Sequence, residues 1–191
     1  DLSPAAISAC QAVVDALAER GIDLGSIEAP PEDLSDLISG PVFALMSTAR
    51  AQLAAAKTPA ALAIVEECEE QEEPVVIVSA HKEPVQIIGS REGWSMITGE
   101  TPAEERGEIA ARFQAGDLRG VALTYKAGGV GITLTRAARM ILVDLDWTPA
   151  LICQAEDRIC RIGQDRGVLI TRLVADHPWR SGHRPLRDRK S

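Results

Sequence analysis

Short apolar runs of strand length alternate with helical patterns along most of the chain. The runs are rich in Val and Ile and lack strict apolar-polar alternation, a pattern typical of strands buried on both faces. They occupy residues 75–79, 95–98, 120–124, 140–143 and 168–174. Strands that alternate with helices in this way predict an α/β fold in which helices flank a parallel sheet.

Three Thr-Pro pairs are predicted to begin helices, because proline fixes φ in the first helical turn and keeps the preceding threonine extended. The pairs are Thr58-Pro59, Thr101-Pro102 and Thr148-Pro149. Glu104 follows Thr101 by three residues, which predicts a capping box at the start of that helix.

The helix predicted after Thr148 extends to Gly163 and has two distinct faces. Charged helical faces are usually only solvated, so the arginines on it indicate a site only together with other motifs. At about 100° per residue, we expect one apolar face to bury against the sheet, formed by Ile152, Ala155, Ile159 and Ile162. The polar face contains Gln154, Asp157, Arg158 and Arg161.

The N-terminal third shows helical patterns without recognisable chemistry. Residues 4–20 predict a helix that ends at Gly21, and residues 33–56 predict helical pieces broken at Gly40-Pro41. The acidic run within residues 66–73 is most simply a solubilising surface. A basic tail at residues 178–191 is most simply disordered.

Composition narrows the possible functions. Of the 191 residues, 46% are hydrophobic, enough for the core of one domain with an appendage. The net charge of −8 argues against a general nucleic-acid-binding surface but not against a local one. No apolar run approaches the roughly 20 residues of a membrane span, so we expect an intracellular protein without a membrane partner. The four cysteines form no Cys-x-x-Cys pair, and no metal site is predicted.

Two segments carry the most specific chemistry. Residues 123–131 read Leu-Thr-Tyr-Lys-Ala-Gly-Gly-Val-Gly, and residues 154–164 read Gln-Ala-Glu-Asp-Arg-Ile-Cys-Arg-Ile-Gly-Gln. They resemble motifs V and VI in the C-terminal RecA-like lobe of SWI/SNF-type DNA translocases, within helicase superfamily two. Residues 75–82 resemble motif IV of the same family. The resemblance covers about residues 45 to 175 and implies a RecA-like parallel sheet flanked by helices, with an N-terminal helical appendage.

Some residues narrow the resemblance to one branch of the family, and two positions depart from the family pattern. Asp157-Arg158 differs from the Gly-Arg of DEAD-box helicases, and Trp147-Thr148-Pro149 resembles the Trp-Asn-Pro before motif VI. Residues 50–57 and 80–82 look most like the annealing-helicase branch and its bacterial or phage relatives. The family most often has His where Cys160 stands and Thr where Tyr125 stands.

The resemblance implies a division of labour in ATP hydrolysis. Arg158 and Arg161, with Gln154 beside them, would reach ATP and Mg²⁺ held mainly by an N-terminal lobe that is missing from this chain and acts in cis or in trans. The resemblance further implies that Gly129, Gly131 and Asp157 contribute to binding the ATP cofactor. The sequence contains no Gly-Lys pair, so it lacks a phosphate loop and is not expected to hydrolyse ATP alone.

A second set of residues would contact the DNA backbone. Ligands of parallel α/β sheets bind at the carboxyl ends of the strands, where this set is expected to lie. Contacts to phosphate alone would make binding independent of sequence. The implied contacts are Ser79, His81, Thr98, Gly99, Lys126, Gly128, Thr133 and Thr135. A histidine such as His81, taken by itself, is more often an ordinary loop residue.

The resemblance also implies a division of the chain and a location. Residues 1–44 would be a helical linker or protrusion-like segment, residues 45–177 the RecA-like domain, and residues 178–191 the tail. The location would be nuclear in a eukaryote, or cytoplasmic and nucleoid-associated in bacteria or phage. One alternative is a non-catalytic DNA- or protein-interaction module that keeps the fold. A stand-alone nucleotide-binding domain is less supported, because the phosphate loop is absent.

Overall fold

The computed structural model describes residues 3–19, 40–128 and 131–175. The chain divides into two compact units, one formed by Lys57–Val174 and one by Asp1–Ala56 with Ala175–Ser191. We call them the sheet unit and the helical unit. In the part of the chain that is described, no helix combines the length and apolar character needed to cross a membrane.

The sheet unit is built on a sheet in which every strand pair is parallel. The strands follow the order β2-β3-β1-β4-β5 across the sheet. Their bounds are β1 Val75–Ser79, β2 Trp94–Ile97, β3 Gly120–Thr124, β4 Arg139–Leu142 and β5 Leu169–Arg172. The predicted parallel α/β sheet is therefore confirmed, with strand ends within a few residues of the expected ones.

Helices cover both faces of this sheet because alternate strand residues point to opposite sides. Val76 and Val78 of β1 pack in one buried cluster with Phe113, whereas Val75 and Ile77 pack in another. The helices are α1 Pro4–Ala18, α2 Pro41–Glu70, α3 Lys82–Gly89, α4 Ala103–Ala115, α5 Tyr125–Gly128 and α6 Pro149–Glu156. The first cluster includes residues of α4 and α6, and the second includes residues of α2 and α3. The sheet is thus buried on both faces, as its strand pattern predicted.

The helix α2 does not begin at Thr58-Pro59 as predicted. It runs without a break from Pro41 to Glu70, with Pro59 inside it and Thr58 buried. An internal proline removes one helical hydrogen bond and costs about 3 kcal/mol. Burial of Val65 and other apolar residues beyond the proline outweighs that cost, so tertiary packing overrides the local signal.

The helical unit contains α1 and the first part of α2. The Ser3 side chain accepts a hydrogen bond from the Ala6 amide at 3.2 Å and so caps α1. The predicted N-terminal helix is confirmed from Pro4 to Ala18, and Gly21 lies outside the described residues, as does the basic tail. The buried residues of α1 pack with the start of α2. They are Ala6, Cys10, Val13 and Leu17. The division at residues 44 and 177 stays a prediction.

Part of the acidic run at the end of α2 is structural rather than merely solubilising. Glu69 accepts hydrogen bonds of 2.6 Å from both Arg91 and the Trp94 indole, and Glu73 pairs with Arg139 at 3.2 Å. These contacts attach α2 to the amino ends of β2 and β4. A Cβ atom at Gly120 would lie 2.3 Å from the Trp94 ring, so only glycine permits this indole position.

We predict that Glu69→Gln lowers the free energy of unfolding by about 1–3 kcal/mol, because glutamine keeps only one acceptor oxygen for Arg91 and the Trp94 indole and loses the charge that pairs with Arg91. Urea unfolding measures the change. Glu66→Gln is the matched control, since Glu66 is more exposed and lies 3.7 Å from Arg91. Equal effects of the two substitutions would contradict the structural role of Glu69.

The same interaction predicts a pH dependence. Burial alone would raise the pKa of Glu69, but hydrogen bonds from Arg91 and Trp94 and the charge of Arg91 lower it below its ordinary value of 4.5. A depressed folded-state pKa means that the stabilisation is complete above about pH 4.5 and is lost as the pH falls through the lowered value. Glu69→Gln should therefore flatten the acid limb of a plot of stability against pH.

Candidate functional site

The carboxyl ends of the parallel strands meet at one edge of the sheet. There β1 ends at Ser79, β2 is followed by Thr98, and β3 leads directly into Tyr125. Asp144 follows β4 at the same edge. Four chain segments that are distant in sequence therefore contribute polar groups to this side of the sheet unit.

The Asp144 carboxylate organises the centre of this edge. One carboxylate oxygen accepts hydrogen bonds from the Ser79 hydroxyl at 2.6 Å and from the Ala80 amide at 3.0 Å. The other lies 3.5 Å from His81 Nε2. The Tyr125 hydroxyl donates to the Asp144 carbonyl at 2.8 Å. Asp144 thus fixes the turn after β1, a role that sequence reasoning did not assign because its partners lie on other strands.

The residues predicted to contact DNA after β1 differ in their accessibility. Ser79 is fully buried, and its hydroxyl also accepts from the His81 amide at 3.0 Å. The His81 side chain is 25% exposed. Ser79 shapes the backbone that presents His81, and a direct Ser79 contact to DNA stays a prediction that would require its exposure.

The turn after β2 is held by its own side chains and by α4. The Thr98 amide donates to the Thr101 hydroxyl at 3.0 Å, so the predicted capping box between Thr101 and Glu104 does not form. Arg106 donates to the carbonyls of Thr101 at 2.7 Å and Gly99 at 3.3 Å. These bonds stabilise a turn in which Thr98 is buried and Gly99 is exposed.

The glycine loop after β3 is described on both sides of a gap. Lys126 is exposed on α5, and Gly128 is the last residue of that helix. Gly129 lies outside the described residues. Gly131 is exposed with φ +30°, and no atom would lie within 4 Å of a Cβ there. The backbone at Gly131 is therefore open to close approach by a ligand.

The helix α6 is shorter than predicted. It ends at Glu156, and the amides of Arg158 and Ile159 bond to carbonyls three residues back rather than four. Ile159 is fully buried, but Ile162 is fully exposed, so its predicted place on a buried helical face is wrong. Thr148 occupies the cap position without a side-chain cap bond. We call residues 157–164 the arginine turn.

Tertiary hydrogen bonds explain the early end of α6. The Arg158 carbonyl accepts from the Leu134 amide at 2.9 Å. The side-chain nitrogen Nε2 of Gln164 lies within hydrogen-bonding distance of three backbone carbonyls. They are those of Thr135 at 3.0 Å, Ala137 at 2.7 Å and Ile159 at 3.2 Å. A regular helix to Gly163 would lose these bonds, because they require the chain to turn towards residues 131–137. We call that segment the glycine-side loop.

The two arginines have different surroundings. Arg161 is exposed and donates to the Thr133 hydroxyl at 3.2 Å. Arg158 is half-buried, and its Nε is buried without a hydrogen-bond partner. Burial and then the charge of Arg161 lower the pKa of Arg158, while Asp157 opposes them. In the described part of the chain, neither guanidinium forms an ion pair.

The remaining predicted residues lie around this pair. Gln154 is exposed on α6, and Asp157 is exposed at the end of that helix. The Thr135 hydroxyl accepts from Gln114 of α4 at 3.0 Å. The structure therefore joins Thr133 directly to Arg161 and anchors Thr135 from two sides. Two neighbouring cations that form no ion pair within the described residues, and that only the exposed Asp157 partly offsets, suit an anion with several oxygens.

Comparisons with known proteins identify a family and several relatives of this chain. Residues 57–163 match the family model described as the helicase conserved C-terminal domain. The DNA repair and recombination protein RDH54 of Saccharomyces cerevisiae is 39% identical over 108 residues, which cover 53% of this chain and 12% of that protein. The mouse SWI/SNF-related regulator of chromatin, subfamily A member 1, is 42% identical over 86 residues, 44% of this chain and 8% of that protein.

A solved structure shows the same fold. The SWI2/SNF2 ATPase core of Sulfolobus solfataricus, in complex with dsDNA, aligns with a TM-score of 0.66 and 22% identity over 91% of this chain and 39% of that one. Relative to the curated proteins it matches, the chain spans only 5% to 12% of their length. Activities of those whole proteins therefore extend to this chain only as proposals.

We predict that Tyr125→Phe lowers the free energy of unfolding by about 1 kcal/mol near neutral pH, because the buried Asp144 carbonyl loses its donor. Urea unfolding measures this difference. Burial raises the pKa of Tyr125 above its ordinary value of 10.0, so the folded state keeps the phenol neutral.

The raised pKa gives the prediction a second readout. Stabilisation linked to the neutral phenol is complete below about pH 10 and declines at higher pH, since the unfolded chain then ionises more readily. The stability advantage of the native protein over Tyr125→Phe should therefore shrink above pH 10. A difference that stays constant across this range would contradict the buried, donating phenol.

Proposed function

Because the chain belongs to the helicase conserved C-terminal domain family and forms the C-terminal RecA-like lobe of a SWI/SNF-type helicase, we propose that it completes a DNA-stimulated ATPase. In this proposal Arg158 and Arg161 act on ATP that is held, with Mg²⁺, mainly by an N-terminal lobe in cis or in trans. The observation that carries the proposal is a pair of guanidinium groups beside the glycine-side loop, neither of which forms an ion pair with a carboxylate in the part of the chain that the structure describes.

The surroundings of the arginines support an anionic ligand. Arg158 has lost part of its hydration, its buried Nε lacks a partner, and the charge of Arg161 adds repulsion. A phosphate group would relieve all three costs, because it accepts several charge-assisted hydrogen bonds at once. The planar guanidinium suits this role better than an ammonium group, since it can donate to two oxygens together.

ATP with Mg²⁺ would supply the phosphoryl group and its partial neutralisation. The residues of this chain would stabilise the charge that develops during transfer. Arg161 is exposed and can extend from Thr133, whereas Arg158 is restrained by burial. We therefore assign Arg161 the more direct role and Arg158 a fixed electrostatic one. Gln154, Asp157, Gly129 and Gly131 would lie on the nucleotide side of the same site.

We further propose that the carboxyl edge contacts the DNA backbone. Lys126 and Gly99 are exposed there, and His81 is partly exposed. Thr133 and Thr135 would add hydroxyl contacts, and Gly128 would allow close approach of the backbone. A chain with a net charge of −8 favours a local, salt-sensitive interaction over extensive binding. The dsDNA bound to the related archaeal ATPase core supports this proposal.

The alternative is a DNA- or protein-interaction module that retains the fold without catalysis. It requires no role for the guanidinium pair, so it predicts that both arginines can be replaced without loss of function. Relatives named for chromatin regulation and for DNA repair and recombination support a location beside chromosomal DNA under either proposal.

We predict that Arg161→Ala lowers DNA-stimulated ATP turnover by about 10³ to 10⁵, as expected for loss of an arginine finger. The assay combines the chain with the N-terminal lobe of a SWI2/SNF2 ATPase, supplied separately or as a fusion. Arg119→Ala is the control, because Arg119 is exposed and directly precedes β3 at the amino edge of the sheet.

The arginine-finger assignment fails if the Arg161→Ala protein turns over ATP at the native rate. Unchanged urea unfolding of both variants would exclude a general folding defect. DNA binding by the native chain without any DNA-stimulated turnover in the combined assay would favour the interaction-module alternative.

We predict that Lys126→Ala weakens duplex DNA binding to a similar extent for unrelated sequences, because the ammonium group that it removes would bind phosphate rather than a base. The slope of log K against log salt should change by about 0.9 for each phosphate that is no longer neutralised. Fluorescence anisotropy at several salt concentrations measures both effects, with Arg119→Ala again as control. Sequence-dependent losses of affinity, or an unchanged slope, would argue against a backbone contact by Lys126.

A further inference from the structure

Gln164 connects two segments to which the proposed function gives different tasks. Its amide nitrogen approaches the carbonyls of Thr135 and Ala137 in the glycine-side loop, at 3.0 and 2.7 Å. The same nitrogen approaches the Ile159 carbonyl in the arginine turn at 3.2 Å. One side chain thus bonds to the backbone of the segment that would contact DNA and to the segment that carries both arginines.

The surroundings fix the orientation of this amide. Three carbonyl oxygens lie around one terminal atom, and the Arg166 amide donates to the other at 3.2 Å. Carbonyls can only accept hydrogen bonds, so the atom facing them must be the NH₂ group, and the atom facing the Arg166 amide must be the oxygen. Two N–H groups serve three acceptors, so one N–H group is shared between two carbonyls.

Two other bonds link the same segments. The Leu134 amide donates to the Arg158 carbonyl at 2.9 Å, and Arg161 donates to the Thr133 hydroxyl at 3.2 Å. The Ile159 carbonyl held by Gln164 lies between the two arginines in sequence. A shift of the Thr135 or Ala137 backbone would therefore displace a carbonyl within the arginine turn through a single side chain.

We infer that Gln164 is a positioning residue that couples the glycine-side loop to the arginine turn, an inference that rests on the proposed function. Gln164 would contact neither ATP nor DNA. Phosphate contacts at Thr133 or Thr135 would order the glycine-side loop, and the Gln164 amide would pass that ordering to the backbone that sets the arginine positions. DNA would then raise ATP turnover by favouring the arrangement in which Arg158 and Arg161 both face the nucleotide.

The decisive variant is Gln164→Glu, which keeps the size of the side chain and removes its donors. A carboxylate oxygen would face three carbonyl oxygens, so the loop and the turn would separate. Gln164→Met removes the same hydrogen bonds without adding charge, and it keeps the test possible if the carboxylate prevents folding.

Gln114→Glu is the matched control. Gln114 also binds the glycine-side loop, through the Thr135 hydroxyl at 3.0 Å and the Arg136 amide at 2.9 Å, but it lies on α4. A hydroxyl can donate as well as accept, so a carboxylate at this position keeps both bonds. The added negative charge is the same in both variants, which separates coupling from simple repulsion of DNA.

The first measurement is amide hydrogen exchange on the chain alone. Gln164→Glu and Gln164→Met should increase exchange at the Leu134 amide about tenfold, while amides of β1 keep their native protection. Gln114→Glu should leave Leu134 unchanged. Native protection of Leu134 in both Gln164 variants would show that Gln164 does not hold the two segments together, which overturns the inference.

The second measurement is ATP turnover with the N-terminal lobe, with and without DNA. In the Gln164 variants, the ratio of turnover with DNA to turnover without DNA should fall about tenfold, a usual size for coupling between sites. Turnover without DNA should change little. Gln114→Glu should retain the stimulation. If Arg161→Ala abolishes turnover but the Gln164 variants keep native stimulation, only the coupling inference fails. If the native chain combined with the N-terminal lobe shows no DNA-stimulated turnover, the proposed function and the coupling inference both fail, whatever the exchange result.

Discussion

The parallel pairing of β1 with β3 and β4 is the constraint on which the site depends. It places the end of β1 opposite the ends of its two neighbours, so Ser79 lies opposite Thr124 and beside the segment that contains Asp144. The Ser79 hydroxyl and the Ala80 amide satisfy one oxygen of the buried Asp144 carboxylate, and the other oxygen lies 3.5 Å from His81 Nε2. Tyr125 strengthens this edge by donating to the Asp144 carbonyl.

The arginine turn brings two cationic side chains together. Elsewhere in the described residues some arginines bind backbone carbonyls, as Arg106 does, and three pair with carboxylates, namely Arg91 with Glu69, Arg139 with Glu73 and Arg172 with Glu156. Arg158 and Arg161 remain close together without such partners, and partial burial adds to the cost for Arg158. Bonds that need no carboxylate hold the turn in place, chiefly from the Gln164 amide. In the proposed function, this positive charge binds an external anion.

Helix ends were the least predictable features of this chain. Thr58-Pro59 has the sequence of a helix start, but burial of Val65 keeps α2 continuous through it. The segment after Glu156 has helical periodicity as far as Ile162, yet the Leu134 amide and the Gln164 side chain bind its backbone in a turned conformation. In both cases contacts with residues distant in sequence outweigh local propensity, which amounts to less than about 1 kcal/mol per residue for ordinary side chains.

Local patterns alone determined the strands, their parallel arrangement and the segments that carry the chemistry. Apolar runs such as residues 75–79 can bury both faces only inside a helix-covered sheet, and the arginines and glycines are recognisable because their segments resemble motifs of a known family. Tertiary structure decided which polar groups meet. Asp144, Gln114 and Gln164 have no local signature for their roles, because their partners lie between 21 and 65 residues away or are backbone carbonyls exposed only by the fold. A hydrogen bond forms only when the distance between donor and acceptor is correct to within a few tenths of an ångström, and only the packed chain sets that distance.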